Sequence, residues 1–220
     1  MIIKKLEVIQ KKNDIYFLEN IGSSIVINDN YSGILILNNK FDIIKKISFI
    51  EEVTIYSSYT NDINEELLLY CPDNNIFIYI NIKNCGYRII KLKNPIKNMV
   101  FSNHYIWHDN IVLLSTYKSE FVLLNVERLT AKIIDFDQVI QKYPNFYKSI
   151  DYQNNDNVFK LKVAEERIEI YINNSIEFVY PDNDFIFLKA IVCSENNLLV
   201  AICSKKSDVS SSKLIVYSIV

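Results

Sequence analysis

The chain has 220 residues, half of them hydrophobic, with 24 basic against 26 acidic side chains and a formal charge of −2. It can therefore bury a sizeable core, and it lacks the basic excess of a nucleic-acid surface. No stretch approaches the roughly 18 uninterrupted apolar residues of a membrane span, and MIIKKLEVIQ places charges where a secretory signal needs its apolar centre, so a cytoplasmic, monomeric protein without membrane contact is expected. Cys71, Cys85, Cys193 and Cys203 form no CxxC pair and read as reduced thiols.

Taken in chain order, the apolar pattern has period two almost throughout. Runs such as Ile34-Leu35-Ile36-Leu37 and Ile76-Phe77-Ile78-Tyr79-Ile80 are short, rich in β-branched and aromatic residues, and bounded by Asn, Asp, Ser and Lys, which makes them strands. Several are apolar at every position, as expected for strands covered on both faces. Five segments, Ser24–Phe49, Glu66–Lys93, Asn110–Phe136, Asn157–Tyr180 and Asn197–Val220, share one grammar of strand, polar turn, strand, turn, strand. Their first strands start at Ile25, Leu67, Ile111, Val158 and Leu198, a period of about 43 residues that suits a four-stranded propeller blade. The innermost strands, called a, are expected at Ile15–Leu18, Val53–Tyr56, either Met99–Ser102 or Tyr105–Trp107, Ser149–Tyr152, and Ala190–Cys193; strands b, c and d follow. The fifth unit stops after its c strand, and Ile2–Gln10 has the character of a d strand. Pairing of Ile2–Gln10 with Lys213–Val220 is expected to complete that blade and remove two free edges.

AIVCSENNLLVAIC resembles the inner hairpin of a WD-type blade, and Asn38, Asn81, Asn125 and Asn173 stand roughly where such a blade carries the Asp of its WD dipeptide. The chain thus resembles the β-propeller superfamily over essentially its whole length. That resemblance implies an all-β, five-bladed β-propeller formed by residues 1–220 as a single domain. It extends to no particular family, because the WD dipeptide, the kelch double glycine and the Ser-x-Asp-x-Gly box are all missing. A large β-sandwich is the competing fold; it would leave the repeat spacing unexplained.

Departures from the repeat are where function is sought. The largest is Asp135–Ser149, in which Asp137 is expected to cap a short helix ending before Pro144. Tyr143, Phe146 and Tyr147 follow that helix. Because b–c turns and d–a connections emerge on one propeller face, Tyr31 and Tyr117 are expected to join them in an aromatic partner-binding surface; the competing reading packs the inserted aromatics onto their own blades. His104, His108 and Asp109 lie in a strand or turn, where i, i+4 spacing does not converge on a metal, and Trp107 is expected in the core. Lys205–Ser212 reads as a mobile b–c loop.

Asp14, Glu51, Glu52 and Asp151 sit near inner strands, where glycosidase-like propellers hold their carboxylates, yet no spacing singles them out. Arg88, Lys91, Lys93 and Lys97 fall along an outer strand and its continuation, where lysines discourage edge pairing. No phosphate loop, nucleophile elbow or zinc motif is present. The expectation is a non-enzymatic, protein-binding propeller without metal or cofactor, of the kind an immunity protein against a bacterial toxin would be. The alternative is a carbohydrate-active propeller, either lectin or glycoside hydrolase.

Overall fold

A computed structural model describes residues 3–10, 14–49, 52–118, 120–143, 160–172, 175–193 and 196–219. β1 (Ile3–Gln10) pairs with none of the strands that directly follow it. β2 (Leu18–Ile21), β3 (Ser24–Asn28), β4 (Gly33–Leu37) and β5 (Ile43–Ser48) form an antiparallel meander. β6 (Ser57–Asn61), β7 (Glu66–Cys71), β8 (Ile76–Asn81) and β9 (Gly86–Lys91) form a second, and β10 (Phe101–His108), β11 (Ile111–Thr116), β12 (Phe121–Asn125) and β13 (Thr130–Ile134) a third. After α1 (Phe136–Lys142) come β14 (Lys160–Ala164), β15 (Arg167–Ile172) and β16 (Ser175–Val179), a three-stranded sheet among the described residues. The expected inner strand Ser149–Tyr152 and the start at Val158 lie outside those residues.

The last sheet contains β17 (Phe185–Cys193), β18 (Leu198–Lys205) and β19 (Asp208–Ile219), with β1 on its outer edge. β1 runs antiparallel to β19, Ile3 opposite Ile219 and Gln10 opposite Lys213. The pairing expected from the d-strand character of the N-terminus is thus present, with a bulge between Lys5 and Glu7.

The chain divides into two compact units, residues 1–52 with 158–220, and residues 53–157. In the first unit, alternation assigns the two faces of the last sheet to different cores. Val200, Ile202, Leu214 and Val216 pack with Ile25, Ile27, Leu35 and Leu37 of the first sheet. Their neighbours Leu199, Ala201, Cys203, Ile215 and Tyr217 pack with Ile168, Ile170 and Val179 of the three-stranded sheet. A sheet flanked by other sheets on both faces is not half of a two-layer sandwich. In the second unit, Leu68, Phe77 and Ile90 meet Val112, Leu114 and Val122. The opposite face of the third sheet is covered at Leu113, Phe121 and Ile134 by Val139 of α1.

Two inner strands differ from expectation. Ile15–Leu18 and Val53–Tyr56 are extended segments that largely precede the strands, which run over Leu18–Ile21 and Ser57–Asn61 instead. Ile15, Phe17, Val53 and Ile55 are buried, so the apolar signal is real, but the strand SSYTN beyond it is polar. The buried Asn28 amide holds the first of these segments: Oδ1 accepts from the Tyr16 and Phe17 N–H groups, both at 2.9 Å, and Nδ2 donates to the Asp14 and Asn30 carbonyls.

The helix cap is Asp135 rather than Asp137, its carboxylate accepting from the Gln138 N–H at 2.8 Å, while Asp137 sits in the first turn. The serine-rich stretch is also not a loop. β19 begins at Asp208, Ser212 pairs with Ser204, and Ser212 is buried.

The three glycines suffice because other residues make the turns. The side-chain oxygens of Asn38, Asn81 and Asn125 accept backbone N–H groups two to four residues ahead, which closes the c–d turns. Those turns end in left-handed residues, Phe41 (φ 65°), Cys85 (φ 56°) and Leu129 (φ 54°). The asparagines that stand roughly where a WD-type blade would carry its Asp are therefore turn formers here.

Two cations and one anion tie the ends of the last sheet to its approach. Lys5 of β1 and Lys213 of β19 both bind Asp182, at 3.0 and 2.7 Å, and the Lys213 ammonium lies 3.5 Å from the Phe185 ring centroid. The Lys213 side chain is only 8% exposed. Replacing Asp182 by Ala strands this cation and is expected to cost about 3 kcal/mol, read as a lowered midpoint in urea. Gly33 is fixed by close approach, since a Cβ there would lie 2.0 Å from the Ile47 carbonyl oxygen. Gly33→Ala should destabilise by roughly 3 kcal/mol or more, a loss visible in thermal unfolding.

Candidate functional site

Within the second unit, two b–c turns and two d–a connections converge. The turn after β7 brings Pro72 and Asp73, and the turn after β11 brings Tyr117, Lys118 and Glu120. Tyr56 precedes β6, and the connection from β9 to β10 supplies Pro95 and Lys97 to Val100. Together they line a trough made of two contiguous cavities, of about 560 and 780 Å³, that share Asn98, Met99, Val100 and Tyr117.

Its floor is built before its rim. Tyr70, Phe77 and Phe101 pack ring to ring at centroid separations of 4.9 to 5.4 Å. The Tyr70 hydroxyl donates to the Met99 carbonyl at 2.8 Å, which fixes the β9–β10 connection over the core. Burial raises the Tyr70 phenol above its ordinary range, so it stays a donor. The Thr116 hydroxyl accepts from the Lys118 and Glu120 N–H groups at 3.3 and 3.1 Å, and the Tyr117 N–H donates to the Val100 carbonyl at 3.3 Å. The Tyr56 N–H is bound by the Tyr70 carbonyl at 2.9 Å. Backbone pinned in this way leaves the side chains outward: Tyr117 is 72% exposed, Val100 67% and Tyr56 66%. Three large apolar side chains around one trough are an anomaly that needs an explanation.

Of the residues expected at a binding face, Tyr117 is in this trough. Tyr31 belongs to the first unit; it is 44% exposed, stacks on Tyr16 at 5.4 Å and donates to Asp14 at 2.7 Å. That hydrogen bond raises the Tyr31 phenol. Tyr143 ends α1 and packs partly buried against Leu113, Phe121, Ile134 and Val139. Phe146 and Tyr147 lie outside the described residues, as do Glu51 and Asp151. Asp14 is engaged by Tyr31, and Glu52 sits exposed at φ 59°. His108 Nδ1 lies 3.0 Å from the Asp109 carboxylate with both side chains 80% exposed, while Trp107 packs partly buried beside Tyr79. Arg88 and Lys91 lie on the edge strand β9.

Sequence reasoning missed Tyr56, Met99 and Val100. The signal was available: they fall in d–a connections, the same class of segment whose convergence with b–c turns placed Tyr117.

A second cluster lies on the three-stranded sheet. Glu169, buried, accepts from the Tyr171 hydroxyl at 2.6 Å and from Arg167 at 2.7 and 2.9 Å, with Lys162 at 3.4 Å. Those partners, the Tyr171 hydroxyl foremost, lower its pKa to about 2. A carboxylate so committed is a structural ion, not a proton carrier.

No protein-family model matches the chain, and no curated protein matches it. Among solved structures, the β-propeller domain of Cps50 (Swd1) from Myceliophteria thermophila is similar, with a TM-score of 0.46 and 10% identity over 92% of this chain; the chain spans 65% of that domain's length. The described sheets are all antiparallel, and in four of them strands consecutive in the chain lie side by side. No described helix is long and apolar enough to cross a membrane.

Two predictions follow from these contacts. The Tyr105 hydroxyl accepts from the Thr60 N–H at 3.1 Å and contacts the Thr60 carbonyl at 2.9 Å as donor, linking the two inner strands of this unit. Tyr105→Phe should cost about 2 kcal/mol in denaturant unfolding, because it leaves both backbone groups of Thr60 unsatisfied. The lowered pKa of Glu169 means that its stabilisation is complete above the ordinary value of 4.5 and is lost as the pH falls towards about 2. The melting-temperature gap between the wild type and Glu169→Gln should therefore close across that window.

Proposed function

We propose that the five sheets are the blades of one five-bladed propeller, and that the chain is a non-enzymatic binding platform for a single protein partner. The observation that carries this reading is the trough flanked by Tyr56, Val100 and Tyr117, each about two-thirds exposed or more over a rigid aromatic floor. Tyrosines interleaved with Ser57, Asn98 and Asn103 have the composition of a protein-binding paratope, in which rings supply contact area and small polar groups supply adaptable hydrogen bonds. The b–c turns NDNYSG, CPDNN, TYKSE and AEER are all different. Unlike turns suit one asymmetric contact face better than the equivalent sites of a repeat lectin. We further propose that the partner is a bacterial toxin domain, which this chain neutralises as its immunity protein.

The test is co-expression with the product of the neighbouring open reading frame, followed by affinity measurement on the purified pair. Tyr56→Ala with Tyr117→Ala should weaken the complex about thirtyfold, the scale of a truncated aromatic hot spot, with an unchanged melting temperature. Equal affinity in wild type and double variant would reject the trough as the interface. Ring closure is tested separately. Deleting residues 1–10 removes the strand paired with β19, so it should lower the melting temperature and expose an edge that promotes association. Monomeric elution with an unchanged melting temperature would count against a closed ring.

A further inference from the structure

The trough carries charge as well as apolar surface, and the arrangement of those charges bears on what can fill it. Asp73 and Lys97 line the first cavity, Lys118 and Glu120 the second. None of the four has an ion-pair partner among the described residues. In three other places charges neutralise one another: Glu169 is shared by Arg167 and Lys162, Asp182 by Lys5 and Lys213, and Lys189 meets Glu19 at 2.7 Å. Those clusters are satisfied and offer no vacancy to a ligand. Each half of the trough, in contrast, holds one uncompensated acid and one uncompensated base beside exposed apolar side chains.

Any occupant that covers the trough removes water from these four groups, and unpaired charges lose solvation unless the occupant replaces it. A polyanion such as nucleic acid would satisfy Lys97 and Lys118 and be repelled by Asp73 and Glu120. A neutral glycan could stack on the tyrosines and would leave Asp73 and Lys97 without a counter-ion. A polypeptide carries apolar side chains and both signs of charge in one strand. Building on the protein-binding reading above, we infer that the trough receives an extended segment of the partner, with an apolar side chain over Met99 between the rims at Tyr56 and Tyr117, a basic residue facing Asp73 and an acidic residue facing Lys97. Complementary pairs of this kind select the partner and set the direction in which the segment lies.

The test is selection of random twelve-residue displayed peptides on the full-length chain, in parallel with Tyr56→Ser/Tyr117→Ser and with the charge exchange Asp73→Lys/Lys97→Glu. The expected outcome is enrichment of peptides with an apolar residue flanked by one basic and one acidic residue. Their synthetic versions should bind at least about tenfold more weakly to the tyrosine variant. On the charge-exchanged chain the order of basic and acidic residues should reverse. Enrichment of purely basic or purely acidic peptides, no enrichment, or an unchanged order on the exchanged chain overturns the inference. Binding of a neutral oligosaccharide array that depends on Tyr117 overturns it in favour of a glycan. A partner protein whose affinity falls with the tyrosine substitutions and ignores the charge exchange preserves the proposed function and rejects only this inference.

Discussion

Burial of both faces of the central strands is the constraint on which the structure depends. β3, β4 and β7 are buried at every position, and β18 at nearly every one. Because side chains alternate, such a strand exposes an apolar face to water unless a sheet lies on either side of it. The last sheet shows the consequence directly, with odd positions of β18 in one core and even positions in another. The outer edges are polar: β5, β9 and β13 are mostly exposed, with lysine or arginine in each, and such edges resist pairing with other chains.

Stacked sheets leave little freedom for the connections, so the connections carry the chemistry that makes the stack possible. Tight turns without glycine require side chains that bond their own backbone, and Asn38, Asn81 and Asn125 do so in three successive sheets. Single side chains fasten the inner strands further: Asn28 clasps the approach to β2, and the Tyr105 hydroxyl clasps Thr60 of β6. The same logic produces the candidate site. Tyr70 and Phe101 are spent on the core and on anchoring the β9–β10 connection, and that anchor presents Val100 outward beside Tyr117 and Tyr56. Rigidity at such a rim matters for binding, because side chains already ordered lose less entropy when a partner arrives.

What the sequence by itself determined was the class of structure. Runs such as GILIL and LLVAIC have one physical solution, a strand covered on both faces, and their recurrence every 43 or so residues imposes repeated sheets. The d-strand character of Ile2–Gln10 was legible for the same reason, since an outer strand must mix lysine with apolar residues. What only the tertiary structure decided were features whose signals are weak in sequence. SSYTN is a strand because β7 and Tyr105 supply its hydrogen bonds, and Asp208–Ser212 is joined to β18 at its two ends, Asp208 opposite Lys205 and Ser212 opposite Ser204, although the composition of both reads as loop. Tyr56 and Val100 became candidate site residues through the folding of two connections onto Tyr70, an event without local pattern. Local periodicity encodes what a segment becomes when its own side chains decide the matter; where a distant carbonyl or hydroxyl decides, only the folded chain shows it.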